Sequence, residues 1–128
     1  MEKLTLAIIV GCGGFIGAAL RYLISENTSK MFNGNFPYGT LIVNIVGAII
    51  IGFIMDINLN TSLISAHAKL FLTTGMMGGL TTFSTFSYET INLISCGNIL
   101  MGCTNAALNL GLSLVGVIIG QALGKIVY

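Results

Sequence analysis

Hydroxyl-bearing and phenyl side chains are concentrated between Thr74 and Glu89, inside a longer apolar segment. Phe83 and Phe86 are three residues apart, so on a helix both rings project from roughly the same face. Glycines in this stretch disturb a helix and free backbone carbonyls. Within a membrane, such free carbonyls are stable only where protein or a polar cavity surrounds them. We therefore predict a helix that is broken near its middle and lines a narrow path for a polar species. The hydroxyls of this stretch belong to Thr81, Thr82, Ser84, Thr85 and Ser87.

The chemistry of this lining favours an anion. Hydroxyl and amide hydrogens are donors, and a phenyl ring has an electropositive edge. Such neutral groups can replace hydration without a fixed charge that would trap the ion, and conduction needs both binding and release. Glu89, the only acid deep in an apolar segment, fits this lining poorly. We expect it to be either hydrogen-bonded by nearby hydroxyls or protonated.

The composition identifies an integral membrane protein. The chain has 128 residues, of which 55% are hydrophobic and 7% charged, and its mean hydropathy is +0.95, whereas soluble domains carry about 25% charged residues. The sequence predicts an all-α membrane protein with one domain over residues 1–128 and no room for a soluble catalytic domain. Four apolar stretches are long enough for spanning helices, which need about 20 residues. They cover roughly residues 4–24, 38–57, 67–94 and 99–126.

Charge placement bears on assembly and orientation. Four helices alone cannot comfortably enclose and shield a polar path, so we expect an oligomer, most simply a dimer. If the termini share a side, Lys3, Lys69 and Lys125 lie there, and Arg21 and Lys30 lie opposite. This near balance lacks the Lys/Arg excess that fixes orientation. The hypothesis is a chain that inserts both ways and pairs antiparallel.

Polar residues also occur in the second and fourth helices. Asn44 lies among Ile, Val and Gly, one helical turn after Thr40. Its side chain either forms an interhelical hydrogen bond or presents an N–H donor to the permeating species. The fourth helix carries a polar stripe that Val117 interrupts, which is either a second wall of the path or a set of interhelical bonds. The stripe consists of Asn105, Asn109, Ser113 and Gln121.

Small residues and the single arginine complete the expectations from spacing. Gly13 and Gly17 form a GxxxG pair typical of close helix packing. A ladder with the same spacing ends the fourth helix. Arg21 either snorkels to the interface or places a positive charge at the mouth of an anion path. The ladder consists of Gly116, Gly120 and Gly124.

Four stretches, in order along the whole chain, resemble the bacterial fluoride channel family, the Fluc or CrcB proteins. They are GGFIGAALRY, FPYGTLIVNIVG, GGLTTFSTFS and the Asn/Ser stripe of the fourth helix. The resemblance implies an antiparallel dual-topology homodimer with two pores in the bacterial cytoplasmic membrane. Its activity would be passive fluoride export that limits fluoride toxicity. The implied partners are fluoride, sodium, membrane lipid and a second copy or a paralogue, with no nucleic acid.

The resemblance also implies roles for individual residues. Phe83 and Phe86 would line the pores with their ring edges, Asn44 would be the pore asparagine and Arg21 the vestibule arginine. Backbone carbonyls, two from each subunit, would hold a structural sodium ion on the dimer axis; they belong to Gly78 and Thr81. The polar lining would further include Ser84, Thr85, Glu89, Asn109 and Ser113.

Two other functions compete with this interpretation. A small proton-coupled drug exporter has a similar length, but it needs a glutamate in the first helix, and this chain has no acid there and no Trp. A non-transporting assembly subunit would explain the glycine ladders and leave the Thr/Ser/Phe run unexplained. An enzyme is less expected, because the sequence offers no nucleophile–base pair or metal cluster.

Overall fold

Three long helices form the frame of the protein, whose computed structural model describes residues 2–128. Each of them is long and apolar enough to cross a membrane, by length and composition. Their bounds are α1 (Glu2–Met31), α2 (Tyr38–Asn60) and α6 (Ile99–Gly124).

The third apolar segment is helical in pieces. It remains helical through its first three pieces and then breaks before the fourth, at residues 81–83. The break that the glycines and hydroxyls predict near the middle of this segment is therefore present. The pieces are α3 (Ala66–Leu70), a π-helical segment (Phe71–Met77), α4 (Gly78–Leu80) and α5 (Ser84–Ser95).

Two helices are longer than the apolar pattern predicts. α1 continues past residue 24 to Met31, so the connection expected from Ser25 to Phe36 is only half as long. The hydroxyl of Thr28 donates to the Ile24 carbonyl at 2.6 Å, and the hydroxyl of Ser29 donates to the Ser25 carbonyl. Polar residues thus satisfy their hydroxyls on the helix itself, which hydropathy does not register. α2 likewise continues past residue 57 to residue 60.

The glycine ladder of α6 packs directly on α2. A Cβ on Gly116 would lie 3.2 Å from the Cβ of Ala48, and one on Gly120 would collide with the Ile49 carbonyl. The predicted small-residue contact is confirmed, and α2 and α6 form one closely packed pair.

The GxxxG pair of α1 makes the second close contact. A Cβ on Gly13 would collide with the Phe71 carbonyl, and one on Gly17 with the Met76 carbonyl. α1 therefore packs on the π-helical segment with the backbones nearly touching, as the spacing predicts. Because this contact lies just before the break, it fixes where the third segment enters the site.

Little of the apolar surface is buried within one chain. A small cluster of Val43, Met77 and Leu80 forms the core, while Phe15 is 78% exposed and Leu100 83% exposed. Large apolar residues exposed in this way are typical of surfaces that meet lipid or another subunit.

Candidate functional site

The site is built around the break between α4 and α5. Thr81 has an extended backbone, with φ −87° and ψ 156°, and ends α4. Phe83 returns to helical dihedrals and precedes the first residue of α5. α2 approaches this point so closely that a Cβ on Gly47 would collide with the methyl group of Thr81. The break is therefore held directly against α2.

Asn44 of α2 clamps the break. Its Oδ1 accepts from the backbone N–H of Thr82 at 2.9 Å, and its Nδ2 donates to the Thr82 carbonyl at 3.2 Å. The same Nδ2 donates to Oδ1 of Asn109 at 2.9 Å. The structure thus shows the interhelical hydrogen bonds that were one of the two interpretations of Asn44. Both amide hydrogens are directed at protein acceptors.

Two carbonyls at the break lose their usual helical donors. In an uninterrupted helix, the amide of residue i+4 bonds the carbonyl of residue i. The Thr82 amide, the helical donor for Gly78, donates instead to Asn44. The Thr85 amide, the helical donor for Thr81, donates instead to Oγ1 of Thr82 at 3.1 Å. The carbonyls of Gly78 and Thr81 are thereby released from the helical pattern.

A third carbonyl at the break is bonded by Arg21. Its Nε donates to the Gly79 carbonyl at 3.0 Å, linking α1 to the end of α4. A cation at a helix C-terminus also interacts favourably with the helix dipole. Arg21 is half-buried, so it has a specific partner inside the protein, which simple snorkelling would not require.

The two phenyl rings form a tilted pair beside the break. The centroids of Phe83 and Phe86 are 5.5 Å apart, and their planes make an angle of 58°. They line an open groove of about 560 Å³ between α2, the break and α6. Six of the predicted site residues meet in this groove: Asn44, Thr81, Phe83, Phe86, Asn109 and Ser113.

The other predicted site residues lie outside the groove. Arg21 and Gly78 are on the α4 side, and Ser84 and Thr85 begin α5 without lining it. Glu89 lines two different cavities of about 140 and 350 Å³, both of which are also lined by Pro37. Thr40 also lines the smaller one. The hydroxyls and carboxylate of the third segment therefore do not form one continuous lining within a single chain.

Glu89 is incompletely paired. Its Oε1 is buried and has no hydrogen-bond partner among residues 2–128. Thr40 of α2 lines the smaller cavity together with Glu89 and interacts with its carboxyl group. The hydroxyl beside Glu89 therefore comes from α2 and not from the third segment.

The polar stripe of α6 divides into buried and exposed parts. Asn105 is fully buried and Asn109 is 5% exposed, whereas Ser113 is half-buried and Gln121 is exposed. Both bonds donated by Asn109 go to Asn105, to its carbonyl and its Oδ1, each at 2.9 Å. Across helices, Asn109 accepts from Nδ2 of Asn44 in α2, and Asn105 donates to Thr90 in α5. The buried part of the stripe therefore serves interhelical hydrogen bonding. Of the four stripe residues, Asn109 and Ser113 line the groove.

Sequence reasoning missed Thr90 and the role of the Thr82 hydroxyl. Thr90 accepts from Nδ2 of Asn105 at 2.9 Å, while the Thr82 hydroxyl caps the start of α5 by accepting from Thr85. The sequence signal for Thr90 was its position one helical turn after Phe86. The signal for Thr82 was its position three residues before Thr85, the spacing at which a capping hydroxyl accepts from a helical amide.

Comparison with known proteins places the chain in a family. The model of the family described as "CrcB-like protein, Camphor Resistance (CrcB)" matches residues 8–121. The chain belongs to the CrcB-like family. A Clostridium novyi (strain NT) member named "Fluoride-specific ion channel FluC" is 96% identical over 128 residues, which is 100% of both chains.

More distant CrcB-like relatives carry the same name. One from Clostridium perfringens (strain ATCC 13124) is 63% identical over 100% of both chains. One from Ruminiclostridium cellulolyticum (strain ATCC 35319) is 42% identical over 98% of this chain and 96% of its own. These relatives are named as ion channels, which agrees with the prediction that the chain is not an enzyme. The three helices that are long and apolar enough to cross a membrane agree with a multi-pass membrane protein.

Proposed function

We propose that this chain forms a fluoride-selective channel that lets fluoride leave the cytoplasm passively across the cytoplasmic membrane. The observation that carries the proposal is the Phe83–Phe86 pair, tilted at 58° beside the broken helix and facing a groove that reaches Ser113. The names of the CrcB-like relatives add the identity of the ion.

The groove favours ring edges over amides as the groups that meet fluoride. Asn44 directs its amide hydrogens at Thr82 and Asn109, and Asn109 directs its own at Asn105. The electropositive edges of the Phe83 and Phe86 rings are then the groups left to meet the ion. They solvate a small anion weakly enough for release, and Arg21 lies outside the groove on Gly79. Among the described residues, no lysine or arginine lines the groove within one chain.

The open side of the groove supports assembly as an antiparallel, dual-topology dimer. Phe83 is 79% exposed in the single chain, and an anion path next to lipid would be leaky and poorly solvated. A second copy, or a paralogue, would cover the groove and bury the ring. The near balance of positive charges, three against two, permits opposite insertion of the two subunits.

Released carbonyls at the break fit a structural sodium ion. The carbonyls of Gly78 and Thr81 have lost the helical donors that Thr82 and Thr85 would provide. Neutral carbonyl oxygens without a carboxylate suit a monovalent cation, and two from each subunit would make a four-oxygen site. A bound sodium ion would supply positive charge that cross-links two broken helices.

Ion efflux from liposomes tests the proposed function. Purified protein is reconstituted into vesicles loaded with fluoride or with chloride, and each ion is followed with its own electrode. Fast fluoride loss with no chloride loss is the expected result. Well-folded protein that releases neither ion, or both alike, would contradict the proposal.

A further inference from the structure

A chain of side-chain hydrogen bonds connects the break to the first turns of α5. It begins at the Thr82 amide and passes through Asn44, Asn109 and Asn105 to Thr90. Thr90 closes it by donating to the Phe86 carbonyl at 2.8 Å. The four preceding bonds are all 2.9 Å long. We call this chain the amide relay.

The direction of the amide relay is fixed by its two ends. A backbone N–H can only donate and a carbonyl can only accept, so the Thr82 amide must donate and the Phe86 carbonyl must accept. Each asparagine between them accepts through Oδ1 and donates through Nδ2 to the next residue. Hydrogen bonds aligned head to tail polarise and strengthen one another.

The relay is well shielded from solvent at its centre. Asn105 is fully buried and Asn109 is 5% exposed. α5 and α6 also approach closely there, since a Cβ on Gly102 would lie 3.1 Å from the Thr90 carbonyl. An amide left without its partner at such a site is costly, so the relay resists rotation of α5 against α6.

We propose that Thr90 and Asn105 are positioning residues for the Phe83–Phe86 pair. The relay starts on the residue before Phe83 and ends on the carbonyl of Phe86, and neither Thr90 nor Asn105 lines the groove. Their shared bond sets the rotation of α5, and with it the angle at which the ring edges face the ion. This inference rests on the proposed function, because it specifies what holds the ring pair in its transporting geometry.

Substitution of Thr90 tests the relay through transport. Thr90→Val keeps the shape of the side chain and removes the hydroxyl, whereas Thr90→Ser keeps the hydroxyl. We expect Thr90→Val to slow fluoride efflux by about tenfold, as a buried amide loses its partner. Thr90→Ser should keep efflux within about twofold of the wild-type rate, a difference typical of uncoupled changes. A structural role of side-chain bulk alone would not produce this rescue.

Thr104 provides a matched control. Its hydroxyl donates to the Leu100 carbonyl at 2.8 Å, as Thr90 does to Phe86, but on an exposed face outside the relay. Thr104→Val should therefore transport like the wild type. Asn105→Leu breaks the same bond from the other side, and the Thr90→Val/Asn105→Leu double variant should be no slower than the slower single variant.

Each outcome decides the proposal. If the wild type carries fluoride and Thr90→Val carries it equally fast, the relay does not position the rings. Equal slowing by Thr90→Ser and Thr90→Val, or multiplied defects in the double variant, overturns it as well. If the wild type carries no fluoride, the proposed function has failed, and the relay has no transport role. Should Thr90→Val not elute as a monodisperse species, Thr90→Ala removes the same hydroxyl with less bulk and takes its place.

Discussion

Arg21 in α1 donates from Nε to the Gly79 carbonyl at 3.0 Å, across 58 residues of sequence. The contact joins α1, the helix that carries the GxxxG pair, to α4, the helix that ends at the break. The single arginine of the chain is therefore part of the frame of the site.

This contact predicts different effects for two substitutions of Arg21. Arg21→Ala leaves the Gly79 carbonyl without its donor and should lower the free energy of unfolding by about 1.5–3 kcal/mol, the range for hydrogen bonds to charged groups. Arg21→Lys keeps a cationic donor and should retain most of that stability. Thermal unfolding of purified protein in detergent measures both. Equal stability of Arg21→Ala and wild type would show that the contact contributes nothing.

Phe83→Ile should slow fluoride efflux by about tenfold without impairing folding, because an aromatic edge interaction is worth roughly 0.5–1.5 kcal/mol beyond burial. Phe15 provides the control: it is 78% exposed, close to the 79% of Phe83, and lies outside the groove. Phe15→Ile should leave efflux unchanged in the liposome assay. Normal transport by Phe83→Ile would show that ring edges do not carry the ion.

Close packing of α6 on α2 predicts opposite effects of alanine at two glycines of one helix. A Cβ on Gly120 would collide with the Ile49 carbonyl, whereas a Cβ on Gly111 would meet nothing within 4 Å. Gly120→Ala should destabilise the protein by about 1–3 kcal/mol, the usual cost of overpacking. Gly111→Ala should be neutral or stabilise by up to about 1 kcal/mol through helix propensity. Thermal unfolding distinguishes the pair, and equal effects would contradict this packing.

Much of the site could be predicted from residue type and spacing. Glycines four apart marked the contacts of Gly13, Gly17 and Gly120, because close backbone approach admits no Cβ. A hydroxyl-rich, glycine-rich stretch marked the break, and three-residue spacing marked the ring pair. These features are local properties of the chain.

The hydrogen-bond partners of the polar side chains could not be predicted. Asn44 offers a donor and an acceptor in any fold, and only the tertiary arrangement directs them at Thr82 and Asn109. Hydropathy likewise gives no signal for the hydroxyl back-bonds that extend α1 past Ile24. The π-helical segment was also missed, since its residues have no period that distinguishes it from an α-helix.

The end of the chain forms a contact whose strength should depend on pH. The Tyr128 hydroxyl donates to Oδ2 of Asp56 at 2.8 Å, joining the residues after α6 to the last turns of α2. Local desolvation, followed by the hydrogen bond and the charge of Asp56, raises the pKa of Tyr128 above its ordinary value. An acid whose pKa is raised on folding contributes stability below its unfolded pKa of about 10, and loses it as pH rises through the folded pKa.

Tyr128→Phe should therefore lower Tm at neutral pH, and only slightly, because Tyr128 is 54% exposed and water weakens the contact. The Tm difference from wild type should stay constant up to about pH 10 and shrink above it, as the wild type loses the contact. Tyr22→Phe, at an exposed tyrosine of α1, should show no such difference at any pH. Differential scanning fluorimetry between pH 7 and 11 measures all three proteins. A Tm difference that grows above pH 10 would have the wrong sign for this contact and would exclude it.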